Sequence, residues 1–419
     1  MQVLTCSQTI RRAVKRFGRL LTILNRQKQP QNPLFIWANY PIKGGIDHFL
    51  LFLTLCLVAI GIVMVYSSSN MLAYELYNAN SYHYLKMQLI ACTLGLGSML
   101  VASYFPYQYY QRFAKLILVV SLIGLLLVFS PIGHEVRSAS GIKFHRWIRV
   151  SGLQFQPVEL TKLGLIIYVS HFLVSKHSQI RSFTRGILPT ILILSITFVL
   201  LYQQPDFGSA VLLSLSVLVL LFVGGARLSQ IVLVIGIACF FIYASIQDDV
   251  YKMQRIQGFL SSLKFPYEGP YQVNQSLNAL ALGGLFGAGI GNSIFKLFHL
   301  PYPHTDFIFA ILGEELGFVG VFSIIVLFML LIWRGIHIAQ RTTDSFGSLI
   351  AIGITTLIGL QTVVNIGVAT GMLPAKGITL PFISYGGSSL LVSLFSIGIL
   401  LNISRDMNEA PGVRVPLET

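Results

Sequence analysis

The chain has 419 residues, of which 54% are hydrophobic and only 11% are charged. This composition excludes an ordinary water-soluble domain, which cannot bury so much apolar surface, and it predicts an integral membrane protein. The formal net charge is +14. In a membrane chain, basic residues set orientation and contact anionic lipid, so we do not expect nucleic acid as a partner.

Ten apolar segments follow a basic N-terminal segment, 1–46, and each is predicted to cross the membrane as a helix. The predicted fold is therefore all-α, with one polytopic domain over 47–405 and a short polar tail, 406–419. The helices are predicted near 47–66, 86–103, 113–130, 157–175, 187–203, 207–223, 229–247, 306–333, 346–371 and 382–402.

Basic residues predict the orientation of these helices. Eight Lys or Arg residues lie between Arg11 and Lys43, and the positive-inside rule places this segment in the cytoplasm. Ten crossings then return the C-terminus to the cytoplasmic side. The longest loop, 248–305, is predicted to lie outside the membrane, between helices 7 and 8.

Several basic residues on the predicted outward loops depart from the positive-inside rule, among them Arg146, Arg255, Lys296 and Lys376. Lys376 is the only charge in its short loop, 373–381. Such residues indicate an anionic ligand near the outer face of the membrane. Contact with lipid headgroups, loop solubility and a snorkelling lysine are the open alternatives.

Asp306 is the carboxylate with the most informative setting. It follows two prolines and is predicted to be the first residue of helix 306–333. Helical periodicity then places Ala310, Gly313, Gly317 and Gly320 on one face, where a neighbouring helix can approach closely. The alternative is that Asp306 only complements the positive end of the helix dipole.

The other acidic residues favour structural roles. Asp206 lies in a tight Gln-Pro-Asp-Phe-Gly turn, whose residues are ordinary turn formers. Glu159 and Lys162 are three positions apart at a helix start and are predicted to pair. Glu314 and Glu315 are predicted to be supporting residues.

Two further segments contain small residues. The glycine-rich run 283–291 matches neither a P-loop nor a dinucleotide fingerprint, so it predicts a re-entrant segment that packs tightly against the bundle. Pro381 is predicted to begin the last helix. Ser384 would then lie inside this helix, either in close packing or in a polar lining.

These segments together resemble the SEDS family of membrane proteins, which comprises FtsW, RodA and SpoVE. The resemblance covers roughly residues 46–405 and follows the order of the family's motifs. The matching segments are Arg146-Trp147-Ile148, Gln156 to Lys162, Gln204 to Gly208, Gly289 to Ser293, His304 to Phe309, Gly313 to Gly317 and Leu373 to Ser389.

The resemblance implies a peptidoglycan glycosyltransferase that polymerises lipid II at the outer face of the bacterial cytoplasmic (inner) membrane. The run Lys376 to Pro381, the Gly313 to Gly317 run and the long basic N-terminus are most similar to the division-type branch. This branch implies septal cell-wall synthesis and a class B penicillin-binding transpeptidase (FtsI-type) as partner, with other divisome membrane proteins. A lipid II flippase, an elongation-type polymerase of the RodA branch and a scaffold that only recruits the transpeptidase are the alternatives.

The resemblance also implies residue roles. Asp306 matches the family's essential aspartate and would accept or orient the proton of the acceptor hydroxyl, or hold a divalent cation such as Mg²⁺ or Mn²⁺. Lys376, Arg146 and Arg255 would offset diphosphate charge, and Lys296 and Ser384 are further candidates for binding diphosphate or sugar.

Three positions depart from the family pattern: Tyr302 and Phe298 occur where relatives can carry acids, and Val158 replaces a small residue. They put in doubt any mechanism that needs a second carboxylate on that loop.

Overall fold

The computed structural model describes residues 45–77, 79–131, 133–137, 143–150, 153–247, 253, 257–261, 269–297 and 299–408. Eleven helices of ten or more residues occur in these ranges, and ten of them correspond to the predicted crossings, which confirms the all-helical polytopic fold. They are α1 His48–Leu76, α2 His83–Tyr104, α3 Ala114–Leu127, α4 Pro157–Ser175, α5 Leu188–Gln203, α6 Phe207–Val223, α7 Leu228–Gln247, α8 Tyr271–Gly283, α9 Ile308–Arg341, α10 Ser345–Ala369 and α11 Gly387–Ser404.

Seven of the described helices are long and apolar enough to cross a membrane: α1, α2, α4, α5 with the π-helical turn Phe183–Ile187, α9, α10 and α11. Helices α3 and α6 are shorter apolar helices. The short helix Gln108–Arg112 precedes α3. Helix α8 was not predicted, and it lies in the long loop between crossings 7 and 8.

Helix α1 extends ten residues beyond its predicted end, to Leu76. Hydropathy falls at three consecutive serines, but these side chains are satisfied inside the protein. Ser68 and Ser69 donate to main-chain carbonyls one turn earlier, and Ser67 donates to Glu315. The helix therefore continues through a polar stretch at which hydropathy predicts that it ends.

The loop after α3 contains a three-stranded antiparallel sheet that was not predicted. Its strands are β1 Gly133–Arg137, β2 Lys143–Val150 and β3 Leu153–Phe155, in the order β1-β2-β3. The β2 sequence is rich in aromatic and β-branched residues, which favour strands. Gln156 then joins the sheet to the bundle, because its main-chain amide donates to the Ser388 hydroxyl at 3.0 Å.

Helix α9 is broken at Gly317, whose φ of 67° is not helical. The prediction of one continuous small-residue face from Asp306 through Gly320 is therefore wrong. A glycine-rich loop, 284–289, fills the break. Its residues exchange main-chain hydrogen bonds with both sides of α9: Ala288 to Glu314, Gly289 to Glu315, Phe318 to Gly284 and Val319 to Leu285, at 2.9 to 3.1 Å between N and O.

Glycine is required where this loop meets α9. Gly287 has a φ of 79°, and a Cβ placed on it would overlap the Glu315 carbonyl. A Cβ on Gly283 would overlap the Gly313 carbonyl. The predicted tight packing of the glycine-rich run is confirmed, since no larger residue fits between these main chains.

Helices α2 and α11 cross closely at small residues. A Cβ added to Gly398 of α11 would overlap the Met99 carbonyl oxygen of α2, whereas one added to Gly97 of α2 would have no atom within 4 Å. Small residues at such a seam allow two membrane helices to approach. Gly398 therefore belongs to a packed crossing, and Gly97 lies on an open surface.

We expect Gly398→Ala to destabilise the protein by about 1–3 kcal/mol, because overpacking forces the two main chains apart. The change is measured by heating the protein in detergent and recording the fraction that remains monodisperse at each temperature. Gly97→Ala is the matched control and should leave the unfolding temperature unchanged or slightly raised. Equal effects of the two substitutions would contradict the close crossing.

Candidate functional site

Four loops on one side of the bundle bring Arg146, Asp206, Asp306 and Lys376 together. These loops follow the third, fifth, seventh and ninth crossings, so they lie on the same side, which the sequence predicts to be the outer one. Arg146 on β2 donates from Nε to the Gln204 carbonyl at 3.1 Å, and from Nη2 to the Pro205 carbonyl. Its guanidinium is thereby fixed beside the turn that contains Asp206.

Asp306 lies just before α9 rather than in it. The helix begins at Ile308 with Phe307 as N-cap, and its first turn contains no acidic residue. The predicted helix start is therefore wrong by two residues, and Phe307 rather than Asp306 is the N-cap. The two prolines upstream and the turn 302–307 hold this residue outside the helix.

Asn365 of α10 holds the main chain of Asp306, and the loop that contains Lys376 lies against its side chain. Asn365 of α10 donates from Nδ2 to the Asp306 carbonyl at 2.9 Å and to the Ile378 carbonyl at 2.7 Å. A Cβ placed on Gly377 would lie 2.7 Å from Oδ2 of Asp306, so glycine leaves room for the carboxylate. This contact places the aspartate against the loop 376–378.

The pKa of Asp306 is raised to about 6, chiefly by burial and also by like-charge repulsion from Asp206. Arg146 opposes this rise because its positive charge favours the carboxylate, and a hydrogen bond from Thr305 acts in the same direction. The side chain is partly exposed. Asp306 therefore changes protonation close to neutral pH while remaining accessible from outside the bundle.

Lys376 lies along the start of α6. Its Nζ is 5.1 Å from the centre of the Phe207 ring, a cation–π contact, and its Cδ would lie 3.6 Å from a Cβ placed on Gly208. Asp206 is the N-cap of α6 and accepts from the Ser209 amide at 3.4 Å. The ammonium group is thus held next to the turn that also binds Arg146.

Ser384 holds main chain rather than lining a helix. Helix α11 begins at Gly387, so the predicted start at Pro381 is wrong, and Ser384 lies in the preceding turn. Its hydroxyl donates to the Thr305 carbonyl at 2.6 Å and accepts from the Leu380 amide at 2.8 Å. Ser384 was predicted to bind substrate; in the structure, both contacts of its hydroxyl attach the Lys376 loop to the segment before Asp306.

His304 and Asn365 were missed by the sequence analysis. His304 is buried, and this burial lowers its pKa to about 4. Its ring lies 4.7 Å from the Tyr84 ring and 5.6 Å from the Tyr385 ring, measured between centroids. Asn365 carried a usable signal, since a polar amide inside an apolar helix is costly without a partner. His304 is the first residue of the matching segment His304 to Phe309, but its burial among aromatic rings is visible only in the tertiary structure.

Lys296 does not lie with these residues. It was predicted to bind diphosphate or sugar, but in the structure its ammonium is buried and forms an ion pair with Glu315 at 3.0 Å. Glu314 accepts hydrogen bonds from the loop 293–295. Arg255 and Phe298 lie outside the described residues.

The predicted pair of Glu159 and Lys162 is confirmed, with 2.8 Å between the ammonium nitrogen and a carboxylate oxygen. Within the described ranges, no group of three or more His, Cys, Asp and Glu side chains could hold a metal ion. Asp306 and Asp206 are close enough to interact electrostatically. A hard divalent cation at this site would therefore need further oxygen ligands from water or substrate.

The comparison with known families decides the class of protein. A profile of the family described as "Cell cycle protein" (FTSW_RODA_SPOVE) matches residues 47–409. This chain belongs to the FtsW/RodA/SpoVE family. The match covers every element of the site described above.

Relatives within the FtsW/RodA/SpoVE family are similar over almost their full length. A probable peptidoglycan glycosyltransferase FtsW from Trichlorobacter lovleyi is 43% identical over 87% of this chain and 94% of the relative. Stage V sporulation protein E from Bacillus subtilis is 40% identical over 87% of this chain and 98% of the relative. The probable peptidoglycan glycosyltransferase FtsW of Escherichia coli is 36% identical over 91% of this chain and 95% of the relative.

Solved structures of the family share the fold. A chain from a structure titled "Structural coordination of polymerization and crosslinking by a peptidoglycan synthase complex" has a TM-score of 0.71 and 28% identity, covering 87% of this chain and 99% of that one. RodA from Thermus thermophilus has a TM-score of 0.64 and 28% identity, covering 87% and 98%. The polytopic membrane fold is therefore that of the family.

We expect Asp306→Asn to raise the unfolding temperature at pH 7.5 more than at pH 4.5. The folded protein favours the protonated acid, since its pKa of about 6 exceeds the ordinary value of 3.8. Stability from this group is complete below about pH 3.8 and is lost as the pH rises through about 6. The amide variant carries no such charge, so the difference between the two proteins grows over this range and is constant above it.

Thermal unfolding of both proteins between pH 4.5 and 8 measures this difference. Asp344→Asn, which replaces the N-cap carboxylate of α10 on the opposite side, corrects for the general effect of removing a carboxylate. A difference between wild type and Asp306→Asn that does not depend on pH would contradict the raised pKa.

Proposed function

We propose that this protein is a peptidoglycan glycosyltransferase that polymerises lipid II at the outer face of the bacterial cytoplasmic membrane. The observation that carries the proposal is Asp306, a partly exposed carboxylate with a raised pKa, held against the Lys376 loop and beside Arg146. Two relatives carry the name probable peptidoglycan glycosyltransferase FtsW at 43% and 36% identity, which supports the same reaction.

The reaction needs a proton acceptor and groups that stabilise the negative charge of the leaving diphosphate. A sugar 4-hydroxyl of one lipid II molecule attacks the anomeric carbon of another, a glycosidic bond forms, and the bond to the diphosphate breaks. In our proposal, Asp306 accepts or orients the hydroxyl proton, and its pKa of about 6 suits a base that works near neutral pH. Undecaprenyl diphosphate leaves with the electron pair, and Arg146 and Lys376 offset its charge.

The second role that we propose for Asp306 is to bind a divalent cation. Mg²⁺ commonly binds through one or two carboxylates together with water and phosphate oxygens, and Mn²⁺ also prefers oxygen ligands. Asp306, with Asp206 nearby, fits a site of that kind in which the diphosphate completes the ligand set. Such a cation would stabilise the leaving diphosphate.

We further propose that the enzyme works at the division septum with a class B penicillin-binding transpeptidase. The loop Lys376 to Pro381 resembles the division-type branch, and two relatives carry the FtsW name. A solved relative's title describes coordination of polymerization and crosslinking in a peptidoglycan synthase complex, which supports such a partner. A flippase would need polar groups through the membrane thickness, whereas the site side chains cluster on loops at one face.

We expect Asp306→Asn and Asp306→Ala to abolish polymerisation of purified, labelled lipid II, a loss of at least about 100-fold. Glycan strands are resolved by gel electrophoresis, with and without the partner transpeptidase and with and without chelator. Asp344→Asn keeps a capping acceptor on the opposite face and should retain most activity. Normal polymerisation by a folded Asp306→Asn protein would refute both roles of this residue.

We expect activity to fall as the pH drops below about 6, because protonated Asp306 can neither accept a proton nor hold a cation. Arg146→Gln should move this acid limb to higher pH, since the arginine lowers the pKa of Asp306. Arg146→Lys keeps the charge and should leave the limb in place. The measurement is kcat/KM for lipid II between pH 5 and 8.5. If the pH of the acid limb is the same in the wild type and in Arg146→Gln, Asp306 is not the titrating group.

A further inference from the structure

The helical segment that directly follows Asp306 is very short. Between its start at Ile308 and the break at Gly317, α9 contains only nine helical residues. A helix of that length is not stable by itself, so its orientation depends on what holds its ends. Asp306 lies two residues before this half-helix, which means that its position follows the orientation of 308–316.

The outer end of the half-helix is held through main chain. Asn365 donates to the Asp306 carbonyl and Ser384 to the Thr305 carbonyl, as described above. The Tyr385 amide also donates to the His304 carbonyl at 2.9 Å. These contacts fix where the segment begins but leave its other end to be fixed elsewhere.

The inner end is held by two adjacent carboxylates, in addition to the main-chain hydrogen bonds from the loop 284–289. Glu315 is fully buried and accepts from the Lys296 ammonium at 3.0 Å and from the Ser67 hydroxyl of α1 at 2.7 Å. Lys296 also donates to the Gly291 carbonyl at 2.5 Å. Glu315 is thereby tied to α1 and to the loop that follows the glycine run.

Glu314 holds a different part of the same loop. Its carboxylate accepts from the Ile294 amide at 2.6 Å, from the Phe295 amide at 3.4 Å and from the Ser293 hydroxyl. Adjacent residues on a helix point about 100° apart. Two neighbouring carboxylates with separate partners therefore fix the rotation of the half-helix about its own axis as well as its depth.

A buried ion pair is a costly way to hold a helix. Well-packed apolar residues are often as stabilising or more so, and the attested use of such pairs is to select one arrangement. The proposed reaction needs that selectivity, because a displacement of about 1 Å at a reacting group can cost on the order of 100-fold in rate.

We propose that Lys296, Glu314, Glu315 and Ser67 form a clamp that sets the position of Asp306 through the half-helix 308–316. They are positioning residues, since none of their described contacts is with the site itself. This inference rests on the proposed function, in which Asp306 acts on lipid II, and it assigns a role to the Glu-Glu pair and to a basic residue that the reaction does not use directly.

Lys296→Met tests the clamp, with Arg334→Met as matched control. Arg334 lies on α9 beyond the Gly317 break, and its Nε forms an ion pair with Asp47 at 2.6 Å. Both substitutions remove the cation of a buried or partly buried ion pair that attaches α9 to another segment. Only the first pair holds the half of α9 that leads to Asp306, through Glu315.

We expect Lys296→Met to lower kcat for lipid II polymerisation by about 10- to 100-fold with KM changed less than about threefold. Arg334→Met should lower the unfolding temperature but keep kcat, measured at equal amounts of folded, monodisperse protein. Lys296→Arg retains the charge and should restore most of kcat. Equal kcat losses in Lys296→Met and Arg334→Met, or no rescue by arginine, would overturn the clamp.

A second measurement does not depend on activity. Hydrogen exchange of peptides covering 306–316 should become faster in Lys296→Met and stay unchanged in Arg334→Met. If Lys296→Met does not fold, Lys296→Met/Glu315→Gln replaces it, because removing both charges avoids a buried unpaired one. Unchanged exchange of this segment in the folded single or double variant would also contradict the clamp.

The same experiment separates this inference from the proposed function. A wild-type protein that makes no polymer, or an active Asp306→Asn variant, would overturn the function and the clamp's catalytic role with it. An active wild type and an inactive Asp306→Asn variant, together with control-like behaviour of Lys296→Met, would overturn the clamp alone.

Discussion

A main chain that leaves its helix inside a membrane must find all its hydrogen-bond partners within the protein, since lipid offers none. Helix α9 meets this constraint at Gly317, where the loop 284–289 supplies donors to the carbonyls before the break and acceptors to the amides after it. Gly287 and Gly317 both have positive φ, and neither has room for a Cβ. The short helical segment before the break is stable only because this loop provides hydrogen-bond partners for the main chain at the break.

The same constraint explains why the candidate site lies where it does. The break separates the nine-residue segment next to Asp306 from the remainder of α9. Asn365 and Ser384 then attach the turn before α9 to the neighbouring loop. The aspartate is consequently held by main-chain contacts on both sides, while its carboxylate is left partly exposed against Gly377.

Electrostatics tune this carboxylate through opposing effects. Burial raises its pKa and the nearby Arg146 lowers it, and the balance lies at about 6. Arg146 can act in this way because two carbonyls of the turn before α6 fix its guanidinium. The neighbouring imidazole of His304 is kept neutral by burial, so it adds no competing charge.

Basic residues that look alike in the sequence have different roles because their neighbours differ. Arg146 and Lys376 lie at the loops around Asp306, whereas Lys296 is buried against Glu315. Membership in the FtsW/RodA/SpoVE family applies to the whole chain from 47 to 409 and does not distinguish these roles. The distinction comes from contacts between segments far apart in sequence.

The sequence alone determined the membrane class and the places of the apolar helices, and it singled out Asp306 as the candidate carboxylate, because hydropathy and ordered family motifs are local properties of the chain. It also predicted the pair of Glu159 and Lys162, which are three residues apart on one helix. The break at Gly317, the sheet after α3 and the true start of α9 were decided only by tertiary structure. Each depends on hydrogen bonds to main chain that is distant in sequence, and no local pattern of residues encodes those partners.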